Sequence, residues 1–315
     1  MRGWLSFIQE RFPPLKHIPL ILCFFGANAF IALCSFPLAL EMRWKWILSF
    51  FVVLLIFFRL RIFDEIKDYK TDLLIHKERP LARGLISLSN AKRMAFSLIL
   101  IELILSLIVG APAFLGACLV SFYSLLMYKE FFIGFWLSTK LATYAITHTI
   151  ISSLLSLFIF SAVTGLNIWE APFSFLLFSL ANWMLFNVFE FGRKTFGRGE
   201  EKEEVDSYSK NFGAWGACLS VLGMAFFAEI VAWILIIKLF HLPFLLMVLL
   251  LVLAVPLVIT ALLYGYTNSS EKGQPKKMTR EIDYQRAGRE ALWFRGACSL
   301  FILMYNFIIT LGFFL

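Results

Sequence analysis

Residues 44–72 read WKWILSFFVVLLIFFRLRIFDEIKDYKTD, an apolar run that ends in a group of charged side chains. The apolar part, 44–62, has the length of roughly 20 residues that a helix needs to cross a bilayer. Beyond it, Asp64, Asp68 and Asp72 recur every four residues, so a continuing helix places the three carboxylates, here called the acidic ladder, on one face. The stretch therefore predicts a membrane-spanning helix with an acidic cytoplasmic end.

Apolar residues also dominate the rest of the chain. Of its 315 residues 60% are hydrophobic, which is more apolar side chain than a water-soluble fold of this size buries, and the water-soluble class is therefore excluded. The long runs 141–164 and 213–238 are expected to tilt or kink. The pattern predicts an all-α membrane protein of about nine transmembrane helices, with apolar runs at 18–38, 44–62, 93–110, 112–128, 141–164, 172–190, 213–238, 243–266 and 293–314.

The basic residues fall on one side of these predicted spans. If the N-terminus is cytoplasmic, only Arg43, Lys45 and Lys238 of the 29 lysines and arginines lie on the opposite side. This positive-inside pattern predicts an integral protein of the cytoplasmic membrane, with the N-terminus inside and the C-terminus outside. The net charge of +8 favours membrane lipid head groups and phosphates as partners, and no nucleic acid is needed to explain it. The first 17 residues suggest an amphipathic lead-in helix.

Residues 1–315 are predicted to form a single polytopic membrane domain without a soluble part. The polar stretches 63–92 and 191–212 each follow an even-numbered predicted span, and each begins with acids and continues with basic residues. This weak internal repeat predicts two similar halves around a cavity open to the cytoplasmic side. The two stretches are the expected cytoplasmic active-site loops.

The acidic ladder has an ordinary explanation and a functional one. A solvated helix end with i,i+4 salt bridges is the ordinary one, but such pairs contribute only about 0.3–0.5 kcal/mol and do not require one stripe. Carboxylate oxygens on one face suit Mg²⁺, which completes its shell with water and phosphate oxygens. Arg79 and Arg83 follow closely, and they serve either membrane topology or phosphate binding.

The fifth predicted span carries a polar stripe at four-residue spacing, made of Lys140, Tyr144, His148 and Ser152. Such residues either hydrogen-bond between helices or line a cavity. Hydrogen bonding within the bundle is also an explanation for Asn28 in the first span.

The segment 64–87 resembles the first motif of UbiA-type intramembrane prenyltransferases. That motif has Asn-xxx-Asp-xxx-Asp, then Arg-Pro-hydrophobic-xx-Gly and a Ser or Thr. Here Asp64 stands in the place of the asparagine, Asp68 and Asp72 match the two acids, and the segment from Arg79 to Ser87 matches the remainder. Tyr128-Lys129 is similar to the aromatic-then-basic pair of the family.

The second motif departs from the family pattern, which places Asp-xxx-Asp after the sixth span. Glu190 takes the first place, Lys194 the second, and Asn187 lies one turn earlier. The resemblance implies that Lys194 either contacts diphosphate or only marks the helix end. Glu190 or Asp206 is expected to hold a metal or to orient an acceptor.

The resemblance implies Mg²⁺-dependent transfer of a prenyl group from a polyprenyl diphosphate to an acceptor that the sequence does not identify. Phosphoribosyl transfer to a polyprenyl phosphate, and a non-catalytic or transport role, are the alternatives. The implied catalytic residues are Asp68, Asp72, Arg79 and Glu190. The implied metal ligands are Asp64, Asp68, Asp72 and Glu190. The implied substrate contacts are Asn28, Asp64, Arg83, Lys129, Lys140, Tyr144, His148, Asn187, Arg193, Lys194 and Asp206.

Overall fold

The chain folds almost entirely into helices. The computed structural model describes residues 2–35, 43–201, 205–239, 243–269 and 281–312, and none of these residues lies in a β-strand. Two short 3-10 turns, Glu130–Phe132 and Ile168–Glu170, interrupt the helical order. The helices are α1 (Arg2–Arg11), α2 (Pro14–Ser35), α3 (Arg43–Ile75), α4 (Leu88–Val109), α5 (Ala111–Tyr128), α6 (Gly134–Ser138), α7 (Leu141–Thr149), α8 (Ile151–Thr164), α9 (Phe173–Arg193), α10 (Tyr208–Leu239), α11 (Pro243–Asn268) and α12 (Glu281–Leu311).

Eight stretches of the described chain are long and apolar enough to cross a membrane, taking α7 and α8 together as one. The predicted run without a counterpart among the eight is the third, 93–110, in α4, because Lys92, Arg93 and Glu102 fall within that helix. The all-helical membrane class is therefore confirmed, and the count of nine is approximate. The expected kink in 141–164 lies at Ile150, between α7 and α8.

The first of two compact units comprises residues 1–134 and 154–172. Within it α3 packs against α2, α4 and α5. A close approach at Gly116 joins α5 to α8, since a Cβ there would lie 3.1 Å from the Cα of Phe158. The core at one end of this unit brings together Phe7 of α1, Ile62 and Phe63 of α3, and Leu81 of the loop before α4.

The second unit comprises residues 135–153 and 173–315. Here α9 packs against α7, α10 and α12, and α11 packs against α10 and α12. Gly192 allows α9 to meet α12 closely, because a Cβ at Gly192 would lie 2.6 Å from the Cys298 side chain. Gly213 has a φ of 70°, a left-handed conformation that breaks the start of α10 and that an L side chain adopts only with strain.

The two predicted active-site loops contain more helix than expected. α3 runs without a break to Ile75 and α4 starts at Leu88, so the loop of the first motif is 76–87. In the second motif, α9 ends at Arg193 and α10 starts at Tyr208, so the described residues 194–201 and 205–207 form loop between them. The acidic ladder therefore stands on a rigid helix.

Candidate functional site

The acidic ladder lies on the last turns of α3 and has one buried member. The Asp72 side chain is 4% exposed, whereas those of Asp64 and Asp68 are 51% and 57% exposed. The i,i+4 spacing of a continuous helix keeps the three on one side. Like charges at this spacing repel each other, so cations must accompany them.

Arg79 provides the cation for two of the three acids. Its Nη1 donates to both Asp72 oxygens at 2.8 Å and lies 3.6 Å from Oδ2 of Asp68. Burial alone would lower the Arg79 pKa, but the hydrogen bond to Asp72 and the charges of Asp72, Glu65 and Asp68 outweigh burial and raise it. The guanidinium is therefore charged at any physiological pH.

The loop that carries Arg79 is held in place by its own backbone and by the core. The Arg79 N–H donates to the carbonyl of His76, and the Leu85 N–H donates to that of Pro80, each at 3.0 Å. Leu81 is buried in the core of the first unit. Ser87 then caps α4, because its hydroxyl accepts a hydrogen bond from the Asn90 N–H at 3.2 Å.

Asp64 and Arg83 have other partners. Asp64 lies 3.9 Å from Arg61 and 3.7 Å from Lys67, both on its own helix. Arg83 pairs with Glu10 of α1 and contacts none of the ladder acids in the ion pairs of the described chain. Thus Arg79, and not Arg83, is brought to the ladder.

The same unit contains a buried ion pair that the sequence did not predict. Arg59 and Glu102 are both fully buried, with Arg59 Nε 2.9 Å from each Glu102 oxygen and Nη1 2.6 Å from the Ser124 hydroxyl. The Arg59 guanidinium also lies 5.4 Å from the centre of the Phe63 ring. The pair joins α3, α4 and α5, and Arg59 precedes the first ladder acid, Asp64, on the same helix.

Phe63 connects this pair to the predicted Tyr128-Lys129 element. Its ring stacks on Tyr128 at 4.7 Å between centroids. Lys129 is the C-cap residue of α5, and its Nζ lies 5.5 Å from the centre of the Tyr128 ring. Asn28, by contrast, is buried in α2 and donates to the Phe24 carbonyl at 2.8 Å, a bond within its own helix.

In the second unit, the altered second motif forms a small ion-pair group at the end of α9. Arg193 Nη2 donates to Glu190 at 2.9 Å, and Lys194 Nζ lies 3.4 Å from the same carboxylate. Lys194 Nζ also lies 5.9 Å from the centre of the Tyr144 ring. Glu190 is thus neutralised by two cations of its own motif.

The polar stripe of the fifth predicted span is only partly continuous. Tyr144 and His148 stack at 3.9 Å in α7, and His148 Nδ1 donates to the Tyr144 carbonyl at 2.8 Å. Lys140 is the exposed N-cap residue of α7, and Ser152 lies beyond the break at Ile150. Only the middle of the stripe therefore faces the second motif.

Asn187 is buried and hydrogen-bonded one turn before Glu190. Its amide donates to the Trp183 carbonyl at 2.9 Å, and its oxygen accepts from the Thr149 hydroxyl at 2.9 Å. Asp206 is exposed in the loop before α10. In the second unit, the structure therefore gathers Tyr144, His148, Glu190, Arg193 and Lys194, while Asn187 serves as a bond between α7 and α9.

Most of the chain matches a known protein family. The family model for the UbiA prenyltransferase family matches residues 19–280. The chain belongs to this family. A search of the curated proteins finds no significant match.

Solved structures of UbiA homologues have the same fold. A UbiA homologue from Aeropyrum pernix K1, in its apo form, is 15% identical with a TM-score of 0.60, over 94% of this chain and 96% of that one. A UbiA homologue from Archaeoglobus fulgidus bound to DMAPP and Mg²⁺ is 14% identical with a TM-score of 0.53, over 96% and 99%. A structure described in connection with digeranylgeranylglyceryl phosphate synthase in membranes is 19% identical with a TM-score of 0.57, over 99% of each chain.

The carboxylates of this UbiA-family chain suit a Mg²⁺ ion that takes its other ligands from phosphate and water. Within the described ranges, no group of three or more His, Cys, Asp or Glu side chains is arranged to hold a metal by itself. Mg²⁺ in phosphate-handling sites usually takes only one or two carboxylates and obtains its other ligands from phosphates and water. Asp68 and Asp72, one exposed and one buried but close to the same guanidinium, fit that requirement.

In a second network of this UbiA-family chain, the pair of Glu200 and Arg295 was not predicted because the two residues are distant in sequence. Glu200 accepts from Arg295 of α12 at 2.7 and 2.8 Å, and this hydrogen bonding lowers the Glu200 pKa more than burial raises it. Glu201 accepts from the Ser207 hydroxyl at 2.8 and 2.7 Å. Hydrogen bonds of Glu200 and Glu201 therefore fix the described residues just after α9 to α12 and to Ser207.

Proposed function

We propose that this protein is a Mg²⁺-dependent prenyltransferase that moves a prenyl group from a polyprenyl diphosphate to an acceptor within the membrane. The observation that carries the proposal is the cluster of Asp68, Asp72 and Arg79 on the first motif of a UbiA-family chain. Relatives of the same fold have been solved with DMAPP or GPP and Mg²⁺, which supports a prenyl diphosphate as donor substrate.

Asp68 and Asp72 are the residues that would hold Mg²⁺. Asp64 is the third acid of the ladder, half exposed and close to Arg61 and Lys67. Glu190 is the carboxylate that the second motif retains, and it pairs with Lys194. When bound, Mg²⁺ acts as a Lewis acid that takes up part of the negative charge on the leaving diphosphate.

Arg79 has a double role in this proposal. Without substrate, Nη1 of Arg79 donates hydrogen bonds to the two Asp72 oxygens that a metal would use as ligands. A substrate diphosphate offers the same guanidinium new acceptors, because Arg binds phosphate oxygens through two parallel N–H bonds. Arg79 therefore moves its hydrogen bonds from carboxylate to phosphate as the site fills, and Lys129 supplies a further cation from the first unit.

The second motif, in the second unit, carries the cation Lys194 where the family pattern has its second acid. A protonated lysine cannot ligate a metal, but it donates well to phosphate oxygens. Lys194 and Arg193 share Glu190, so both can offer N–H groups while Glu190 balances their charge. Tyr144 stacks on His148, and its ring also lies beneath Lys194 in a cation–π contact.

The reaction breaks the C–O bond between the allylic carbon and the diphosphate, and the electron pair leaves with the diphosphate. The acceptor supplies the electron pair of the new bond to that carbon and releases its proton. The cations of the site stabilise the departing charge, which is the part of the barrier that positioned electrostatics lower most.

The test is incubation of the purified protein with labelled geranylgeranyl diphosphate and a membrane lipid extract, with and without Mg²⁺. A labelled product that requires both Mg²⁺ and Asp72 supports the proposal. Incorporation from labelled phosphoribosyl diphosphate would favour phosphoribosyl transfer instead. Neither product, together with no binding of prenyl diphosphate, would favour a non-catalytic or transport role.

The proposed site requires both motif loops in the cytoplasm. Single cysteines at the exposed positions Ser87 and Asp206, in a background without the five native cysteines, test this. Labelling of either position in intact cells by a membrane-impermeant reagent would reject the proposed orientation.

A further inference from the structure

The N-terminal helix α1 lies against the loop that carries Arg79. It precedes residue 19, where the match to the family model begins. Phe7 of α1 is fully buried with Ile62, Leu81 and Ile86, so the helix shares one core with α3 and the loop. Gly3 fits against the loop backbone so closely that a Cβ there would lie 2.4 Å from the Leu85 carbonyl oxygen.

Two ion pairs join α1 to the first motif. Arg11 Nε donates to Glu65 Oε1 at 2.5 Å, and Glu10 pairs with Arg83 of the loop. The backbone carbonyl of Arg11 in turn accepts from Arg61 Nε at 3.2 Å. Glu65 and Arg61 are both on α3, so α1 is tied to the ladder helix and to the loop at the same time.

Glu65 makes the pair with Arg11 important for the site. Its side chain is 1% exposed and follows Asp64 directly in the sequence. Its negative charge is one of those that raise the Arg79 pKa. Among the described residues its Oε2 has no hydrogen-bond partner, and the next cation, Arg61, lies 3.8 Å from Oε1. Without Arg11, Glu65 would keep only the longer contact to Arg61 and would compete with Asp68 and Asp72 for Arg79, because a buried charge that loses its hydrogen-bonded partner is unfavourable.

We propose that α1 is a positioning element of the diphosphate site, in which Arg11 neutralises Glu65 and Glu10 holds Arg83, so that Arg79 stays directed at Asp68 and Asp72. The inference rests on the proposed function for its ligand. Arg11 and Glu10 are positioning residues and touch neither the substrate nor the metal.

The experiment compares Arg11→Gln, Lys16→Gln and the double variant Arg11→Gln/Glu65→Gln as full-length proteins purified in detergent. Lys16 is an exposed cation at the start of α2, so its loss is a matched control for the charge change. The probe is labelled geranyl diphosphate with Mg²⁺. We expect its Kd to rise by about tenfold in Arg11→Gln, a size typical of outer residues that orient a metal site. Lys16→Gln should bind as the wild type does.

The double variant distinguishes the effect of the uncompensated Glu65 charge from the effect of losing the packing of the Arg11 side chain. Glu65→Gln removes the charge that Arg11 balances, so the double variant should recover to within about threefold of the wild-type Kd. Wild-type affinity in Arg11→Gln, or a double variant that binds no better than the single one, would overturn the proposal.

A second measurement keeps the result separate from the proposed function. Amide hydrogen exchange of residues 76–87 reports the order of the loop without any ligand. Faster exchange in Arg11→Gln than in Lys16→Gln supports the positioning role even if the wild type binds no prenyl diphosphate, in which case only the proposed function fails. Equal exchange in the two variants would overturn the positioning role.

Discussion

Replacement of Arg79 by alanine should make the protein more responsive to Mg²⁺. Arg79 donates to both oxygens of Asp72, whose side chain is 4% exposed, and it lies 3.6 Å from Asp68. In Arg79→Ala these carboxylates lose their cation and become free to bind a metal. Arg79→Ala should therefore lower the stability of the metal-free protein and, at the same time, leave the Asp68 and Asp72 oxygens available to Mg²⁺.

The size of the effect follows from burial. Removing one partner of a buried pair destabilises a protein by about 3–5 kcal/mol, but the Arg79 side chain is 21% exposed, and solvent screening reduces the expected loss to about 1–3 kcal/mol. In Arg79→Ala, binding of Mg²⁺ at about 100 times its Kd should stabilise the folded protein by about 2.7 kcal/mol. In the wild type the ion competes with Arg79 for the same oxygens, so its stabilising effect is smaller.

The assay is thermal unfolding in detergent, followed by tryptophan fluorescence with and without Mg²⁺ and without diphosphate. Lys77→Ala, which removes the same charge from an exposed position of the same loop, is the control. Arg79→Ala should show a larger Mg²⁺-dependent rise in Tm than the wild type or Lys77→Ala. Equal shifts in all three proteins would refute the idea that Arg79 and the metal share ligands.

Three further predictions test other parts of the site. Asp68→Ala and Asp72→Ala should abolish Mg²⁺-dependent transfer while Asp64→Asn remains active, and an inactive Asp64→Asn beside an active Asp68→Ala would contradict the assignment in a prenyl transfer assay. Glu102→Gln should destabilise the protein by about 3–5 kcal/mol, because it leaves a fully buried guanidinium without its counter-charge, and an unchanged denaturation midpoint would show that this charge needs no partner. Lys194→Ala should weaken binding of a non-hydrolysable prenyl diphosphate analogue, and unchanged affinity would leave Lys194 as a residue of the helix end only.

The sequence predicted local features of this fold well because the bilayer imposes a length on each span and the helix imposes a spacing on each face. The ladder is an example, since residues four apart meet on one side of any helix. The charges of α4 show the limit. Glu102 made the run less apolar, and only its burial against Arg59 shows how the fold accommodates it.

Pairings between distant residues could not be predicted in the same way. Arg59 and Glu102 are 43 positions apart, and Glu200 and Arg295 are 95 apart, so neither pair leaves a periodic signal. The partner of Arg83 was missed for the same reason, because Glu10 lies 73 positions earlier on a helix whose packing depends on tertiary contacts. Local spacing thus predicted which residues share a helix face, whereas tertiary packing determines which residues form ion pairs.

α3 is a single helix of 33 residues, about 50 Å long at about 1.5 Å per residue, and so is longer than the roughly 30 Å hydrocarbon layer. The acidic ladder and the lipid-embedded part of α3 therefore belong to one unbroken helix, with no hinge between them. A thinner or thicker membrane changes the tilt of such a helix, and the ladder then moves with it as one body. The acyl-chain length of the surrounding lipid therefore influences where these carboxylates lie relative to the membrane surface.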